Sequence, residues 1–236
     1  LNLKGGTLHN HYTGLITNRG TIIVTGGTLN NEGDSLVNMP GGRINNVGGL
    51  ITHSAGAEFT NSGTVDNDAA SNFVLSDLAT CKSGGTYTNA GVFNTTNRSG
   101  DLINQKGGVL ANSGTWNQDG VGVLSNLAGG KITNSGRINI FNSLLDNRGS
   151  FENTGTLEVF HFGAYQNLGS QLDNRTGGVF TNTGSASNLA NSTINNSGSI
   201  VNDRKLVNAG VINNLCGGTV TGPVNGNQPV NVCSIN

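Results

Sequence analysis

The chain has 236 residues, 12 Lys plus Arg against 13 Asp plus Glu, a formal net charge of −1, and only 11% charged and 5% aromatic residues. That balance excludes nucleic-acid binding driven by counterion release, and no apolar run approaches the ~20 residues of a membrane-spanning helix, so membrane insertion is not expected. Thirty-eight Gly and 38 Asn fill about a third of the positions, which ordinary helices and strands disfavour, yet 34% hydrophobic residues are too many for a disordered linker.

The chain enters its pattern at once, as Leu1-Asn2-Leu3-Lys4-Gly5-Gly6-Thr7-Leu8, without an initiator Met, which suggests a processed chain or a piece of a longer one. His9 and His11 share one strand face at metal-ligand spacing. Two ligands without a third make a weak site, so they read as surface histidines, and no metal or other cofactor is expected.

From Ile16 onward the unit apolar-x-Asn-x-Gly-x-apolar recurs. Copies run from Ile16 to Ile22, Phe59 to Val65, Tyr87 to Phe93, Leu110 to Trp116, Ile132 to Ile138, Leu145 to Phe151, Ile194 to Ile200 and Leu206 to Ile212. Gly pairs such as Gly41-Gly42, Gly107-Gly108 and Gly177-Gly178 open many of them. Apolar anchors follow every six to nine residues (Leu8, Leu15, Ile22, Leu29, Leu36, Ile44, Ile51 and onward), so each third anchor closes a coil of about 18 to 22 residues. Nothing follows helical spacing. Three short strands per coil predict an all-β β-solenoid, preferably a right-handed parallel β-helix, of about ten coils at ~4.8 Å each.

Period-two alternation in Phe59-Thr60-Asn61-Ser62-Gly63 puts Phe59 and Asn61 inside, and Gly63 is expected to turn the corner with positive φ. Stacked corner asparagines then form an amide ladder, for which Asn18, Asn61, Asn89, Asn112, Asn134, Asn153, Asn182, Asn196 and Asn208 are the candidates. The pattern lapses around 66–86, which reads as one coil carrying an insertion within a solenoid domain spanning 1–222. Its Asp66, Asp68, Asp77 and Lys82 are the best candidates for Ca²⁺-assisted proton abstraction, set against a solvated loop. Sequons fall at Asn94, Asn97, Asn174 and Asn191, possible glycosylation sites in so Asn-rich a chain. His53 and His161 are isolated, and no nucleophile–base arrangement appears, so no catalytic residues are expected.

Cys216 and Cys233, 17 positions apart where the repeat stops, suit a disulfide that closes the end, which leaves Cys81 free or intermolecular; three reduced, buried thiols are the alternative. The tail, 223–236, carries Pro223 and Pro229 and reads as a cap. The uncovered first coil predicts end-to-end self-association into a filament or stalk.

The segments GGTLNNEG (26–33), GGRINNVGG (41–49) and GGVLANSGTW (107–116) resemble the repeats of filamentous-haemagglutinin-type adhesins and related autotransporter passengers. The resemblance implies a secreted right-handed β-helix that projects from a cell surface or builds extracellular material. The expected function is thus non-enzymatic, structural or adhesive and extracellular, with a glycan or other cell-surface ligand. Alternatives are a polysaccharide-binding or lyase-like β-helix and an ice-binding solenoid. The outward row for ice, Glu58/Thr60, Thr86/Thr88, Val109/Ala111 and Lys131/Thr133, is broken by charges.

Overall fold

A computed structural model describes the chain apart from Tyr12, Asp34, residues 77–78, 97–99 and 234–236, and the side chain of Thr96. Asp77 and Asn97 therefore lie outside the described residues. Thirty-four strands and no helix appear among the described residues, and each strand but the last of each sheet pairs in parallel with the strand three later. Three sheets result, of 12, 11 and 11 strands. The first begins with Asn2–Lys4, Thr21–Thr25 and Arg43–Val47, the second with Thr7–His11 and Thr28–Glu32, and the third with Leu15–Asn18 and Ser35–Asn38. The chain is a β-solenoid of about eleven coils.

Parallel register explains why one interior suffices. Each strand sends alternate residues inward, and equivalent residues stack: Phe59, Val65 and Phe73 of one coil are all buried, in the third, first and second sheets respectively. Along the second sheet the stacking becomes aromatic, with Phe73 and Phe93 centroids 5.1 Å apart and Phe93 and Trp116 4.3 Å apart. A lone coil could not cover such side chains; its neighbours do so on both sides.

Several sequence expectations change here. Leu15 is 67% exposed, whereas Ile16 packs against the core opposite Leu36. Asn18 is fixed at the corner, and counting back by two from it selects Ile16. The stretch around 66–86 carries no insertion. Thr64 pairs with Thr86, 22 residues on, in the same ladder as Thr64 with Arg43, and Asn72–Ser76 and Thr80–Ser83 supply the other two strands. The tail continues the ladders through Val224–Gly226 and Val230–Asn231 before it ends. Glu58/Thr60 belong to the third sheet and Thr86/Thr88 to the first, so the supposed row is split between faces.

The glycines divide their labour. In the pair Gly41-Gly42 the first residue takes φ +80°, while a Cβ on the second would stand 2.5 Å from Asn38 Oδ1 and 2.7 Å from the Asn18 carbonyl. Gly63 has no positive φ; its side chain is missing because a Cβ would approach the Gly42 carbonyl to 2.2 Å. Gly85 is held the same way over Gly63, at 2.1 Å. At Gly63 and Gly85 the glycine is therefore held by close approach of the neighbouring coil, whereas Gly48 and Gly169, each two residues after a column Asn, take φ of +63° and +59°.

Candidate functional site

The candidate corner asparagines fall into three columns rather than one ladder. At the end of the first sheet, each amide from Asn46 through Asn67, Asn89, Asn112, Asn134, Asn153, Asn174 and Asn196 donates Nδ2–H to Oδ1 of its equivalent in the following coil, at 2.7–2.9 Å. At the end of the third sheet run Asn18, Asn38 and Asn61, then Asn104 through Asn208. Most of these amides also donate to a backbone carbonyl in the next coil, as Asn89 does to Thr115. They thus satisfy corner backbone that an apolar interior would strand.

The second sheet ends differently. Its column reads Asn10, Asn31, His53, Leu75, Thr95, Gln118, Ile140, Val159, Asn182 and Asn202. Strands there run to five residues until Asn182 restores the four-residue form. The turns beyond them are strained. Of the five described non-Gly residues with positive φ, Thr13, Ala55, Asn142 and His161 lie at this corner, and Asn191 lies between the third and first sheets. Such residues gather where structure is shaped for something other than stability alone.

On the outer face of that sheet a second, outward amide ladder runs the other way. Asn139 Nδ2–H donates to Asn117 Oδ1 at 2.7 Å, and Asn117 Nδ2–H to Asn94 Oδ1 at 2.8 Å. Phe141 and Phe160 lie beside it on successive coils, ring centroids 5.1 Å apart and tilted 46° to each other, with His161 edge-on to Phe141 at 5.1 Å. Phe162 at the same turn is 86% exposed. Asn94, Asn117, Asn139, Asp119, Phe141 and Phe160 line a groove of about 390 Å³. A tilted pair of aromatic rings beside amide donors and acceptors suits a ligand with both apolar faces and hydroxyl edges.

The lyase candidates do not converge. Asp66 faces out from the first sheet and pairs with Arg43 at 2.6 Å. Asp68 accepts from Gly48 N–H, Ala70 N–H and the Ser71 hydroxyl; the Ser71 bond, first, holds its carboxyl below the usual range. Lys82 points from the third sheet and pairs with Glu58. Asn174 is buried in the first column, so it cannot present a glycan in the folded protein; Asn191 is exposed and Asn94 is a rung of the outer ladder. A disulfide joins Cys216 and Cys233, and Cys81 is a buried free thiol whose pKa burial pushes up.

His53 is neither isolated nor on the surface. It fills a rung of the second column, accepts from Asn31 at Nδ1, and lies flat on Phe59 at 5.0 Å. Complete burial pushes its pKa down to about 3. His9 and His11 do acquire a third neighbour, Glu32, which register brings opposite His11 from the next coil. The signal was present in sequence, since Glu32 follows His11 by one coil length. The rungs Asn94, Asn117 and Asn139 were legible by the same arithmetic.

No protein-family model matches the chain, and no curated protein does. Among solved structures it is similar to the TibC-catalyzed hyper-glycosylated TibA fragment, with 14% identity over 96% of this chain and 97% of that one at a TM-score of 0.24.

Proposed function

We propose that the protein is a secreted or surface-displayed adhesive rod, non-enzymatic, that holds a neutral glycan chain across the corner between its second and third sheets. The observation that carries the reading is the pairing of the Phe141/Phe160 rings with the Asn94–Asn117–Asn139 ladder in one groove. Sugar rings present C–H faces to aromatic side chains and hydroxyls to amides, and the groove falls within the size range of small-ligand sites. Asp119 is the one charged residue among those lining the groove, which favours an uncharged chain. The Cys216–Cys233 disulfide supports an oxidising compartment. Separate, mutually neutralised acids and bases support a binding rather than a cleaving role.

The test is calorimetric titration of the full chain with neutral oligosaccharides (cello-, chito- and manno-oligomers), repeated with Phe141→Ala and Phe160→Ala. Binding that weakens about tenfold per ring supports the reading. Binding untouched by both changes would refute the location, and newly formed reducing ends would refute the non-enzymatic role.

A further inference from the structure

The first strand of the second sheet, Thr7–His11, alternates so that Thr7, His9 and His11 face outward, while Leu8 and Asn10 turn toward the interior. In the next coil Thr28–Glu32 lies in parallel register, and His11 stands opposite Glu32. The Glu32 carboxylate leans back over both imidazoles: Oε2 is 2.8 Å from His9 Nε2 and 3.9 Å from His11 Nε2. The two rings meet edge to face at 4.9 Å. One ligand atom from each of the three residues lies within 4.8 Å of the others.

From this geometry we infer that His9, His11 and Glu32 form a zinc site that clips the first coil to the second. Two imidazole nitrogens and one carboxylate oxygen make a donor set that zinc accepts, with a water completing four-coordination. Ligand atoms at ~2.0–2.2 Å on a tetrahedral ion stand about 3.3 Å apart. Separations of 2.8–3.9 Å to Glu32 Oε2 already bracket that value, and the half-exposed side chains have room to adjust. The parallel register alone holds the ligands of two coils together, which explains how residues so far apart in sequence could act as one site.

The clip would join two coils whose inward residues already stack, Leu8 on Leu29 and Ile16 on Leu36. Binding that requires both coils in place stabilises their stacked state. This inference is independent of the glycan groove, which lies several coils away.

The experiment is calorimetry of the full chain with ZnCl₂ alone in a non-coordinating buffer at neutral pH, beside His9→Ala, His11→Ala and a His161→Ala control. We expect one Zn²⁺ per chain at micromolar affinity, at least tenfold weaker in either site variant and unchanged in the control. A second reading uses the unaltered chain: added Co²⁺ should broaden the His9 and His11 ring signals selectively in the proton NMR spectrum. The inference is overturned if zinc does not bind at 100-fold excess, if both site variants bind like the unaltered chain, or if Co²⁺ perturbs other residues and spares this pair.

Discussion

Two kinds of corner coexist on one rod. The ends of the first and third sheets keep Asn in the column through most coils, interrupted at Val24 and Ser83, and in several of those coils a crowded Gly such as Gly63, Gly114 or Gly136 stands two residues on. The end of the second sheet changes its column residue nearly every coil, accepts left-handed non-Gly residues and carries the exposed aromatic rings. Uniform corners let a side-chain amide repeat do the work of backbone pairing; the variable corner gives up that repeat and gains freedom of shape. The comparison teaches that stacking regularity and surface chemistry are assigned to different edges of the same coil.

The unpaired atoms follow the same logic. Each amide donates toward the following coil, so the first member of any run has an Oδ1 that nothing in the preceding coil serves. Asn46 follows Val24, Asn104 follows Ser83 and Asn182 follows Val159, and these three Oδ1 atoms lack partners among the described residues. The gaps mark where the column was interrupted.

The largest expected effect comes from breaking a uniform corner. Asn112→Leu removes an acceptor that Asn89 Nδ2 uses alongside the Thr115 carbonyl, strips the buried Asn134 Oδ1 of its donor and leaves the Arg137 carbonyl without the Asn112 amide, so urea denaturation should show a loss of about 3–5 kcal/mol. The change Ile140→Val at the variable corner should cost only about 1 kcal/mol.

Next is acid sensitivity at His53. Its folded pKa of about 3 lies below the ~6.5 of an unfolded histidine, so the unfolded chain binds the extra proton as pH falls between those values. Its neutral, buried form contributes full stability above pH ~6.5 and loses about 1.4 kcal/mol per pH unit below it. Thermal midpoints at pH 7 and pH 4 should separate widely in the unaltered chain. They should draw together in His53→Asn, which keeps the acceptor for Asn31; an equal separation in both would show that His53 is not the sensor.

The smallest effect repairs a gap. Ser83→Asn supplies the missing donor to Asn104 Oδ1, and a gain of about 1 kcal/mol should appear as a higher denaturation midpoint. No gain would mean that column continuity contributes little at that rung.

Much of the fold was legible because a solenoid writes its geometry as a period. Coil length, inward anchors such as Phe59 and Trp116, and corner asparagines all repeat at a distance the sequence displays. What was obscured had local causes. Leu15 and Ile16 are adjacent apolar residues, and only the fixed corner at Asn18 decides between them. Gly63 and Gly41 look alike in sequence, yet one answers a neighbouring carbonyl and the other a backbone dihedral. The stretch around 66–86 lacks the motif because Ser83 replaces Asn and Phe73-Val74-Leu75 carries an apolar column residue, while its strand pairing is unaltered. The candidate sites were hidden for a different reason: Glu32 beside His9 and His11, and Phe160 beside Phe141, become neighbours only when coils are laid in register.

The central claim is that buried carboxamide columns brace two of the three corners. Hydrogen exchange of side-chain amides, read residue by residue by NMR, tests it directly. The account predicts strong protection for the Nδ2 protons of Asn89, Asn112, Asn134, Asn147 and Asn167, and rapid exchange for exposed Asn191. Solvent-rate exchange at all of these positions would contradict it.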